Sequence, residues 1–194
     1  KIDAFLVSKA EFILNAQKKF ALQEQYKPQP KQYVSGETFY LQGRALRLKV
    51  IRASKEQLYS DGVHLFLEVK DPQDFSKKER MVMRFFDRQC KEVFGEIVEE
   101  LYPVFQKYGV AVPSLRIRSM DTRWGSCLPG KGVITLNKRL LEAPRNCIEY
   151  VVMHELCHFI HPNHSKHFYA FLSMLMPDWK ERKKVLDAND TYYL

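Results

Sequence analysis

Five of the six histidines fall inside one stretch of fourteen residues, and that stretch constrains the fold more than any other feature. It reads His154-Glu155-Leu156-Cys157-His158-Phe159-Ile160-His161-Pro162-Asn163-His164-Ser165-Lys166-His167. Its core is H-E-x-x-H. On a helix, positions i and i+4 lie one above the other on the same face, so His154 and His158 can reach one ion. Glu155, one position along, flanks that ion without having to bind it. A general base for a metal-activated water belongs there. The preceding Tyr150-Val151-Val152-Met153 is strongly apolar, as a buried helix requires.

A zinc site needs a third protein ligand. His161 shares the helix face at i+7 but lies ~10.5 Å along the axis from His154, too far for one ion. Pro162 also disfavours helix at the residue before it. The chain should therefore turn at Pro162-Asn163 and swing His164 back toward the metal. His167 and the later carboxylate Glu181 are the weaker alternatives.

The period of the apolar residues divides the rest of the 194-residue chain. Residues 3 to 25 read as a helix with Asp3 as N-cap. Residues 32 to 70 alternate in short β-rich runs, with turns at Gln42-Gly43 and Asp61-Gly62, and read as an antiparallel meander. Residues 76 to 108 return to a helical stripe of Phe94, Ile97, Val98, Leu101 and Phe105, split by Pro103 and ended by Gly109. Leu115–Arg118 and Val133–Leu136 read as strands. The remainder reads as helices at about 145–161, 165–176 and 178–187, punctuated by Pro144, Pro162 and Pro177. Trp124-Gly125-Ser126-Cys127 reads as a glycine-mediated bend with Trp124 in the core. Ser126 or Cys127 lining a cleft is the alternative. Cys157, inside the motif, reads as a small buried thiol.

The expected architecture is α+β in one domain spanning 1–194. Residues 1–75 form an N-terminal helix and meander, and 76–194 form a helical metal-binding core. Length and composition fit a globular chain, and no apolar run is long enough for a membrane span. The first five residues do not read as a signal peptide. Four scattered cysteines without a C-x-x-C pair point to reduced thiols and a cytoplasmic setting. The net charge of +8 is met either by a solvated basic surface or by an acidic partner: nucleic acid, nucleotide or acidic peptide.

Residues 122 to 182 carry a specific resemblance. Thr122-Arg123-Trp124-Gly125-Ser126-Cys127, Ile134-Thr135-Leu136-Asn137, Pro144, Tyr150 through His158, Asn163-His164-Ser165 with Phe168, and Pro177-Asp178-Trp179-Lys180 resemble the YgjP-like metallopeptidase family. The resemblance implies a minimal zincin-like fold. It implies Zn²⁺ held by His154, His158 and His164 and Glu155 as catalytic base, and no particular substrate; the expected partner is a peptide or protein substrate. It also suggests Val133–Leu136 as a strand on which an extended peptide pairs. Two other functions fit the residues. One is a zinc hydrolase of nucleotide phosphoanhydrides, for which Arg116, Arg118, Arg123, Lys138 and Arg139 would meet phosphate. The other is a nucleic-acid-associated protease resembling the SprT-like family, although no dedicated nucleic-acid-binding module is visible.

Overall fold

A computed structural model describes residues 30–189, together with Ala10 and Leu14. The helix expected over 3–25 otherwise lies outside the described residues. The observed class is α+β: two small sheets joined and covered by helices.

The first sheet contains β1 (Thr38–Leu41), β2 (Arg44–Arg52), β3 (Gln57–Ser60) and β4 (His64–Val69), in the order β1-β2-β4-β3. Both expected turns are present. Gln42 (φ 49°) and Gly43 (φ 78°) take left-handed dihedrals in succession, the geometry of a two-residue hairpin. Asp61 closes the other turn by accepting from the Val63 and His64 amides through Oδ1, at 2.9 and 2.6 Å. The sheet is not a simple antiparallel meander, however. β1–β2 and β3–β4 are antiparallel, but β4 inserts between β2 and β3 and runs parallel to β2. The reason lies in β4's pattern: Leu65, Leu67 and Val69 are all fully buried on one face. A strand so apolar gains most from a central position, between the nine-residue β2 and the short β3.

Helix α1 (Phe75–Leu101) follows, its first turn capped by Asp74, whose Oδ1 accepts from the Lys77 amide at 2.9 Å. Pro103 divides it from the short α2 (Pro103–Gln106), as its ring dictates. α1 joins two cores. Val82 and Phe85 pack with Leu46, Leu48, Leu65 and Leu67 of the first sheet. Further along, Cys90, Val93, Phe94 and Ile97 pack into a larger cluster with Ile134, Leu136, Ile148 and Val152.

The second sheet has β5 (Ser114–Arg118), β6 (Gly125–Leu128) and β7 (Val133–Asn137), in the order β5-β7-β6. This refines one expectation and overturns another. Trp124 sits at a bend, and Gly125-Ser126-Cys127 after it open an edge strand. β7 is the centre of its sheet, paired on both sides, and cannot accept an added strand. Four of its five residues are buried, which is the mark of a central strand.

A 3-10 turn at Lys138–Glu142 leads to α3 (Arg145–Cys157), then α4 (Lys166–Leu175) and α5 (Trp179–Asn189). The hairpin at Gln42-Gly43 anchors the entry to α3: their amides donate to the carbonyls of Leu141 and Glu142 at 2.8 and 2.9 Å. α3 is buried almost all round and packs against α1, β6 and α5. Among the described residues no helix is long and apolar enough to cross a membrane.

Candidate metal centre

α3 carries His154 and Glu155 and ends at Cys157, so His158 sits at its C-cap rather than in mid-helix. The His161 amide still donates to the Cys157 carbonyl at 2.9 Å, which tightens the exit. The chain then turns at Pro162-Asn163, and the Ser165 amide donates back to the Asn163 carbonyl at 2.7 Å. Ser165 caps α4 by accepting from the Phe168 amide at 3.4 Å. The turn returns the His164 ring toward α3.

One nitrogen from each of His154, His158 and His164 lies within 4.8 Å of the others, and this group could hold a metal ion. Nε2 of His154 and Nε2 of His164 approach to 2.8 Å. His158 is oriented by the His161 carbonyl, 3.2 Å from its Nδ1, which leaves Nε2 for the shared centre. Nδ1 of His154 is buried with no hydrogen-bond partner, so that ring meets polar atoms only through Nε2. The donor set passes a simple size test. Zinc–nitrogen bonds of ~2.0–2.1 Å in tetrahedral array need nitrogens ~3.3–3.4 Å apart, a spacing between the 2.8 Å and 4.8 Å found here. Three imidazoles are also a set that suits zinc.

His161 and His167 do not join them. Their rings stack on each other at 6.5 Å, and His161 also packs edge-on against Phe171 at 5.4 Å.

Electrostatics keeps His154 and His158 in their ligating form. Burial, with repulsion from His158 and His164, lowers the His154 pKa to about 3, and burial also lowers that of His158. Both rings are therefore neutral near pH 7, with lone pairs free for a cation. Burial raises Glu155 to about 8, while the Arg123 guanidinium pulls the other way. A cation at the adjacent imidazoles would pull further in Arg123's direction. The thiols are inert: burial raises Cys157 to about 12, and burial together with Glu155 raises Cys127 equally far.

The supporting residues were less visible in the sequence. Phe168 is fully buried, and its ring centroid lies 4.9, 4.7 and 4.9 Å from those of His154, His158 and His164. It is a common floor beneath all three. Its signals in the sequence were its place four residues after His164 and its part in the family resemblance. Tyr169 stacks between His164 (6.1 Å) and Trp179 (5.4 Å), and Trp179 stacks on Tyr150 (6.3 Å). Trp124 is half-buried, with the Arg139 guanidinium 5.5 Å over its ring. A cleft of about 200 Å³ beside Glu155 and His154 is walled by Trp124, Gly125, Val151 and Leu186. Buried Asn137 ties down the preceding loop: its Nδ2 donates to the carbonyls of Met120 (2.7 Å) and Arg123 (3.0 Å).

A buried helix whose imidazoles converge with a histidine from the following turn forms a group that could hold a metal ion. The sequence model described as YgjP-like, metallopeptidase domain matches residues 1–189, and the chain belongs to this family of metallopeptidases. No curated protein matches it. Two solved structures are similar in part. The metallopeptidase zymogen jannalysin of Methanocaldococcus jannaschii is 22% identical, with 49% of this chain and 88% of that chain covered and a TM-score of 0.41. The metallopeptidase zymogen abylysin of Pyrococcus abyssi is 22% identical, with 51% and 93% covered and a TM-score of 0.42.

Proposed function

We propose that this chain is a zinc-dependent peptidase in which His154, His158 and His164 hold the ion and Glu155 moves the proton. The convergence of three imidazole nitrogens within 4.8 Å, on a helix that also carries Glu155, supports the reading above all else. When bound, zinc supplies Lewis acidity to the scissile carbonyl and to water. A carboxylate oxygen of Glu155 takes the proton of the attacking water and passes it to the leaving amine. Burial of Glu155 and the apolar wall of Trp124 and Val151 limit competing solvent there. An extended substrate backbone would pair with β6, the edge strand that runs past Glu155 at Gly125, rather than with the enclosed β7.

Elemental analysis of the purified protein and turnover of Glu155→Gln test the reading together. About one zinc per chain in both proteins, with turnover of unstructured peptides lost in the variant, is the expected result. Undiminished turnover in Glu155→Gln removes Glu155 as the base. Hydrolysis of nucleoside triphosphates without hydrolysis of peptides replaces the peptidase with a phosphoanhydride hydrolase.

A further inference from the structure

Among the described residues, the first sheet turns one face to the core and has no element packed on the other. Alternation buries Leu46, Leu48, Leu65 and Leu67 and sends Arg47 and Lys49 of β2, Tyr59 of β3, and His64 and Phe66 of β4 to the opposite face. Register aligns them across the strands. Arg47 lies opposite His64, Lys49 opposite Phe66, and Phe66 opposite Tyr59. The Tyr59 and Phe66 rings stack at 5.1 Å and 17°, and Lys49 Nζ stands 5.3 Å over the Phe66 ring. Tyr59 remains 43% exposed.

The carboxylates around this ring pair are engaged and its cations are not. Glu68 is held by Gln57 Nε2 at 2.8 Å and by the Tyr59 hydroxyl at 3.2 Å, and Asp61, in the turn between β3 and β4, accepts from the Val63 and His64 amides. Arg47 and Lys49 take part in no ion pair among the described residues. By contrast, Arg145 and Arg182 are each held by carboxylates. A cross-strand aromatic pair alone would stabilise a solvated sheet. It gives no reason to gather mutually repelling cations around it.

We infer that this open face binds single-stranded nucleic acid, with bases stacking on the Tyr59–Phe66 pair and phosphates meeting Arg47 and Lys49. Unpaired bases supply the π faces that the rings can stack on, and the backbone supplies the negative charge that the cations lack. An acidic peptide would satisfy the cations but leave the rings unused. A duplex keeps its bases stacked internally. The surface takes no part in the proposed hydrolytic chemistry, so binding is measured without turnover.

The test is fluorescence anisotropy of the full chain with labelled oligothymidylate and oligouridylate of about twelve nucleotides, at about 50 and about 200 mM salt. Binding should weaken about tenfold or more between those salt concentrations. Arg47→Gln with Lys49→Gln should weaken it about tenfold and flatten the salt dependence. Lys107→Gln with Lys131→Gln, which removes the same charge from exposed positions elsewhere, should change it less than about twofold. Tyr59→Ala should weaken binding about fivefold or more with the salt slope unchanged, because it removes a stacking face and no charge. Should Tyr59→Ala fail to fold by circular dichroism, Tyr59→Leu keeps apolar bulk without the π face and carries the same expectation. Three results overturn the inference: no binding at the lower salt, equal losses from the two charge pairs, or an oligoglutamate of matched charge or a duplex binding as tightly as the single strands.

Discussion

Gly125 lies directly against Glu155: a Cβ added to the glycine would stand 2.7 Å from Glu155 Oε1 and 2.9 Å from its Cγ. Strand β6 and helix α3 are thus spaced by the absence of one methyl group. The Glu155 carboxyl occupies the room that this absence leaves.

Gly125→Ala should therefore displace the Glu155 side chain, because Val151 Cγ1 at 3.0 Å and the pairing of β6 with β7 leave little room to retreat. Overpacking of this kind costs about 1–3 kcal/mol. Turnover should fall tenfold or more while bound metal stays near the wild-type level, which requires about 1.4 kcal/mol in the barrier. Loss of metal together with activity would show that β6 positions the imidazoles rather than the carboxyl.

Metal occupancy separates the histidines. His164→Ala should abolish stoichiometric zinc, and His167→Ala should retain it, because only the former ring converges with His154. Chelation should lower the thermal midpoint of the wild type. Ligand at a hundred times Kd stabilises by about 2.7 kcal/mol. A midpoint indifferent to chelator would argue against a resident ion.

Phe168→Ala should disable the site without touching a donor atom. Removing a fully buried phenyl ring costs about 3–5 kcal/mol. The three imidazoles would lose their common floor, so zinc affinity should fall even at temperatures where the variant is folded. Phe168→Leu should recover most of the stability and part of the affinity. Equal affinity in all three proteins would reduce Phe168 to ordinary core packing.

Glu142 gives a pH dependence independent of the metal. It lines a separate cavity of about 430 Å³ with Tyr33, Phe39 and Phe86. Burial raises its pKa from 4.5 to about 7, against the opposing pull of Arg139 and Lys31. Folding therefore favours the protonated form. The associated stability is fully present below pH 4.5 and is lost as pH rises through 7, at up to about 1.4 kcal/mol per pH unit in that window. Glu142→Gln cannot ionise, so its stability relative to wild type should grow from pH 4.5 to 7 and then level off. Denaturant titrations across that range check the sign. A constant difference would mean the carboxyl titrates as if exposed.

The elements legible in the sequence are those governed by neighbours within a few residues. The i, i+4 spacing of His154 and His158, the turn imposed by Pro162, the split at Pro103 and the glycine hairpins all depend on local geometry, and all are found. Even the choice of His164 over His161 followed from helical rise and the restriction before proline. The limits of locality show in the first sheet. Its strands and turns were readable, but the insertion of β4 between β2 and β3 depends on which strand gains most from burial on both flanks.

What the amino-acid order determined by itself was the candidate donor set: residue types and spacings that bring three imidazoles together from one helix and its exit turn, with Glu155 next along the helix. What only the tertiary structure decided was the surroundings of that set. β6 comes from a segment about thirty residues upstream of Glu155, and the fit of Gly125 against it arises only when sheet and helix pack. The Phe168 floor and the enclosure of β7 likewise depend on how separate elements come together. Contacts of this kind carry no period or spacing along the chain, because they are set by the shapes of surfaces that meet only after folding.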